Sequence, residues 1–102
     1  MRTNKTQDIY DYMTTISEEV RRNIESEVKK ISPCYEVKAI IRYKHPDDHY
    51  LYRVVAVMTD NSAYAGGTYS YWDSFNAITN SLNFGHYHIS LEDAMQLLWE
   101  NH

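Results

Sequence analysis

Ile9, Met13, Ile16, Val20, Ile24, Val28 and Ile31 recur at intervals of three and four, with mostly charged or polar residues between them. That period marks an amphipathic helix over residues 6–31, whose apolar stripe must be hidden against another element. Ser32-Pro33 ends it, because the proline ring disfavours helical geometry in the residue before it. The pattern favours one long helix. A second start, at Ser17, stays open: Thr15-Ile16-Ser17-Glu18 has the capping-box spacing and would leave 6–14 as a separate turn or short helix.

Over 35–44 the period changes to two. Tyr35, Val37, Ala39, Ile41 and Tyr43 fall on one face and Glu36, Lys38, Arg42 and Lys44 on the other, with Ile40 out of pattern. Such alternation predicts a half-buried strand. His45-Pro46-Asp47-Asp48-His49 is turn chemistry, and 50–59 reads as the returning strand of a hairpin. Because 54–58 is apolar on both faces, this strand belongs at the centre of the sheet. Gly66-Gly67 bends the chain before a third strand over 68–72, and 82–89 fits a fourth, short strand broken by Gly85. Ser90 caps a last helix with Leu91, Ala94, Met95, Leu98 and Trp99 as its inward stripe. The fold class is α+β: a long N-terminal helix, an antiparallel three- or four-stranded sheet and a short C-terminal helix. Placing both helices on one face is the simplest way to hide both stripes. At 102 residues the chain makes one domain, 1–102.

Charge is distributed unevenly. Net charge is −4, yet the last lysine or arginine is Arg53, while Asp60, Asp73, Glu92, Asp93 and Glu100 follow it. A surface of that sign repels phosphate, which disfavours nucleic acid as a direct ligand of the C-terminal half. The cations of the N-terminal half, Arg21, Arg22, Lys29, Lys30, Lys38, Arg42 and Lys44, alternate with glutamates in the manner of a solvated face. No apolar run is long enough for a membrane helix, and no hydrophobic signal segment follows Met1-Arg2-Thr3. Cytoplasmic residence is the expectation.

Catalytic patterns are weak. His86 and His88 would share a face of a strand and, with Asp73, could hold zinc; surface or hydrogen-bonded histidines explain them as well. Cys34, the single cysteine, stands at an element boundary without a feature that would activate it, so it reads as a small buried filler. Ser70, Ser74 and Ser81 lack a Gly-x-Ser-x-Gly elbow, and Gly66-Gly67 precedes a strand rather than a phosphate-cradling helix start. The chain reads as a non-enzyme, with no cofactor and no metal.

Aromatic residues are the anomaly. The chain holds ten tyrosines, and Tyr64, Tyr69, Tyr71, Trp72, Phe75, Phe84 and Tyr87 crowd among serines and asparagines in a stretch without lysine or arginine. That mixture resembles evolved binding surfaces, where rigid rings bury area at low entropic cost. The expected partner site is Tyr69, Tyr71, Trp72 and Tyr87 as anchors, with Asp73, Glu92 and Asp93 steering the encounter.

Ser81-Leu82-Asn83-Phe84-Gly85-His86-Tyr87, followed by an acidic helix, resembles a pattern in small uncharacterised proteins of phages and bacterial mobile elements. Size, acidity and clustered aromatics also resemble, in kind, anti-CRISPR and other counter-defence inhibitors. The resemblance implies a bacterial host cell and a partner with a basic surface, such as a nuclease complex. A small nucleic-acid-binding regulator using the N-terminal cations, and a homodimer closed by the aromatic patch, are the alternatives.

Overall fold

The computed structural model describes residues 16–43, 46–60 and 67–100. Helix α1 runs Glu18–Ile31, and Ser17 caps it: its hydroxyl accepts the Val20 amide at 3.2 Å. Ser17 itself takes extended backbone (φ −63, ψ 151), so α1 is not continuous with the residues before it. The later of the two starts is therefore the real one, and the stretch 6–15 lies outside the described residues. Glu18 and Glu19 in the first turn and Lys29 and Lys30 in the last complement the helix dipole.

Four antiparallel strands follow in simple meander order: β1 (Tyr35–Arg42), β2 (Leu51–Met58), β3 (Tyr69–Asn76) and β4 (Ser81–Ile89). A single 3₁₀ turn, Pro46–Asp48, lies between the first two. The β3–β4 turn is held by the Asn76 side-chain oxygen, which accepts the amides of Ile78 and Thr79. β2 has a neighbour on each side, and Val54, Val55 and Ala56 are completely buried, as their apolar run requires. β4 is a full nine-residue strand, not one broken at Gly85. Helix α2 (Leu91–Glu100) starts where expected, with Ser90 Oγ accepting the Asp93 amide at 3.0 Å. Leu91 departs from the expected inward stripe and is exposed, while Ala94 and Leu98 are buried.

Register breaks decide which residue faces which way. Between Val37 and Ala39 the β1 strand carries an extra residue, so Val37 and Ala39 oppose the adjacent partners Ala56 and Val55. Tyr35, Val37 and Ile40 consequently point to one face and Ala39 and Ile41 to the other. Ile40 is not an exception to the alternation; it marks where the alternation changes phase. A similar break in β3 sets Tyr52 opposite Phe75 but Val54 opposite Trp72.

The helices lie on opposite faces of the sheet, not on one. α1 sends Ile24 and Val28 into a core with Tyr35, Ile40, Tyr52, Val54, Trp72 and Phe75. α2 sends Ala94 and Leu98 into a second core with Ala39, Ile41, Val55 and Tyr71. Alternate residues of β2 thus serve two separate cores, which is why that strand is apolar throughout. Among the described residues no helix is long and apolar enough to cross a membrane.

Candidate protein interface on the outer strand

Strand β3 is covered on both sides, and this overturns part of the expected partner site. Trp72 and Tyr71 are each 1% exposed. Trp72 lies edge-on between Tyr35 (ring centroids 5.6 Å) and Tyr87 (5.8 Å). Tyr71 packs beneath α2. Neither can anchor a partner. The expectation assumed that one face of the strand must look outward; a helix on each face removes that assumption. Tyr69 is half-buried, paired with Ile89 and packed against the α2 core.

Asp73 is committed internally. It accepts the Tyr71 hydroxyl at 2.8 Å, and its Oδ1 lies 3.5 Å from Arg53 Nε, the arginine being only 5% exposed. The Arg53 guanidinium stacks 3.9 Å over the Tyr43 ring, whose hydroxyl donates to the Asp73 carbonyl at 2.7 Å. Asp73 thus serves as counter-ion to the buried Arg53 while part of its side chain stays accessible. Burial, reinforced by the Asp73 carboxylate, pushes the Tyr71 hydroxyl far above the ordinary tyrosine value, and burial followed by the Asp73 charge raises Tyr43. Both hydroxyls thus stay protonated at neutral pH and act as donors to Asp73, Tyr71 to its carboxylate and Tyr43 to its carbonyl.

The histidines do not converge. His86 lies against Tyr71 (centroids 5.8 Å), while His88 sits at a register break with φ 57, so the shared face expected of a regular strand is lost. Among the described residues no group of three or more His, Cys, Asp or Glu could hold a metal ion.

What remains outward is β4. Among the described residues this last strand has one neighbour, and residues 83–88 are all exposed. Phe84 is 73% exposed with φ 61, and Tyr87 is 46% exposed with its hydroxyl anchored by Trp72 Nε1 at 3.2 Å. Phe84 belonged to the aromatic window in the sequence but not to the expected anchors. Its neighbour Gly85, read as a strand breaker, was the local sign of irregular backbone. Glu92 and Asp93 are exposed in the first turn of α2, where their charge suits the helix dipole. Between that helix and the end of β4 runs an open groove of about 320 Å³ lined by Ile89, Asp93, Gln96, Leu97 and Glu100.

A family model described as large polyvalent protein associated domain 24 matches residues 16–93. The chain belongs to this family. The span of the large polyvalent protein associated domain opens one residue before the Ser17 cap, takes in α1 and the whole sheet, and ends in the first turn of α2. Membership fits the mobile-element setting that the 81–87 segment resembles. No curated protein and no solved structure matches the chain.

Proposed function

We propose that this domain is a non-enzymatic protein-binding module of a mobile element, with β4 as its contact strand. Phe84 carries the reading. A bulky residue held at φ 61 costs on the order of 1–3 kcal/mol, and its ring is left mostly in water. Both features are unfavourable to the isolated fold, so the gain lies outside it: an exposed rigid ring is the common form of a binding hot spot. Tyr87, pinned at its hydroxyl, offers a second ring whose immobilisation is already complete before binding.

The more specific form of the proposal is inhibition. The acidic C-terminal half faces a basic surface of a host nuclease complex, as counter-defence proteins of the anti-CRISPR kind do, in the bacterial cytoplasm. Nucleic acid is the weaker ligand, because Arg21, Lys30, Lys38 and Arg53 each lie beside a carboxylate and Lys29 donates to the Tyr35 carbonyl.

The test is capture of partners from a host cell by the wild-type chain and by Phe84→Ser, followed by affinity measurement on the purified pair. A loss of about tenfold or more in affinity is expected. Binding of the pair unchanged by Phe84→Ser, or salt-sensitive binding of oligonucleotides in place of protein, would overturn the reading.

A further inference from the structure

Asp93, Gln96, Leu97 and Glu100 stand at i, i+3, i+4 and i+7 and so share one flank of α2. Ala94 and Leu98 point into the core, and the helix lies over β2 and β3, leaving the groove between this flank and Ile89 of β4. Ile89 and Leu97 are apolar and half-buried; Asp93 and Glu100 flank them, roughly 10 Å apart along the axis at 1.5 Å per residue.

Two observations say what this groove lacks. Glu100 is an acid in the last turn of a helix that has no basic residue there, which opposes the helix dipole. No lysine or arginine follows Arg53, and among the described residues no ion pair reaches Asp93 or Glu100. Both acids are exposed, so the rim of the groove is complementary to a basic ligand.

Building on the protein-binding reading, we propose that the α2–β4 groove receives a cationic amphipathic helix of the partner protein. Its aliphatic side chains rest on Ile89 and Leu97, and two lysines or arginines, about two turns apart, meet Asp93 and Glu100. This mode uses a helix in an apolar groove for affinity and charge for register.

The probe is a synthetic 18-residue helix with leucines at i, i+3, i+4 and i+7 and flanking lysines. It is titrated into the isotope-labelled chain and followed by amide chemical shifts. Shifts centred on Ile89, Asp93, Gln96, Leu97 and Glu100 are expected. The isosteric pair Asp93→Asn/Glu100→Gln and, separately, Leu97→Gln should each weaken binding by about fivefold or more, with circular dichroism unchanged. A peptide of equal charge lacking the leucines should bind about tenfold more weakly. Equal affinity of that control, an unaffected double variant, or shifts confined to Phe84 and Tyr87 would each refute the groove. A captured partner lost by Phe84→Ser but kept by the double variant sinks the groove alone, whereas a partner insensitive to Phe84→Ser sinks the β4 reading.

Discussion

Trp72 donates its indole N–H to the Tyr87 hydroxyl across 3.2 Å, and the two rings meet edge-on at 5.8 Å. The contact ties a residue of the deepest core to one on the outermost strand. Gly85 lies directly opposite Trp72, and a side chain there would run into the Tyr87 ring, so the glycine makes the slot that Tyr87 fills. Tyr87→Phe keeps the ring and leaves the indole donor without its acceptor. It should lower stability by about 1 kcal/mol, read as a shift in urea midpoint with unchanged slope. Tyr87→Ala also uncovers Trp72 and should cost about 2–3 kcal/mol.

Phe84 should behave oppositely. Asparagine tolerates left-handed backbone far better than phenylalanine, so Phe84→Asn relieves strain at φ 61 without removing a buried contact. A gain of about 0.5–1 kcal/mol is expected in thermal or urea unfolding, accompanied by weaker partner binding. A destabilised variant would show that the ring supports the fold itself.

Tyrosine ionisation sets an alkaline limit. Tyr71 and Tyr43 are both raised in the folded chain, so above about pH 10 their unfolded counterparts lose protons that the folded state retains. The unfolded state then binds fewer protons, and stability falls as pH rises. Urea midpoints between pH 9 and 11.5 should decline, and Tyr71→Phe should flatten the slope even though it lowers stability at pH 7 by removing the bond to Asp73.

Ser17 fixes the start of α1 through its cap. Ser17→Ala should cost about 1 kcal/mol by releasing the Val20 amide. Ser26→Ala, at an exposed mid-helix site, should raise stability by a few tenths of a kcal/mol or about 0.5. Circular dichroism melts of the two variants separate capping from propensity.

Local chemistry made much of this fold readable. Ser90 and its acidic neighbours mark α2, the Pro33 break marks the end of α1, and the double-faced apolar run of β2 marks a central strand. An apolar run on both faces also fits a layer on each side of the sheet, which the structure shows, although one-sided packing is the simpler arrangement. The register breaks were not readable, because an inserted residue such as Lys38 differs from its neighbours only in what the adjacent strand does. The candidate site suffered for the same reason. Ring count marks the aromatic window in the sequence, but which rings are interior depends on β3 being enclosed, a property of α1 and α2. Phe84 escaped notice because positive φ in a phenylalanine leaves no mark in composition or periodicity. The pairing of Asp73 with Arg53 leaves no local mark, because the two lie twenty residues apart in the chain.

Among the described residues each strand of the meander pairs with its neighbours in sequence, whereas α1 reaches β4 and shares its core with Val54 of β2 and Trp72 and Phe75 of β3. The sheet can therefore pair strand by strand, but the core beneath α1 closes only when β3 has arrived to cover Ile24 and Val28.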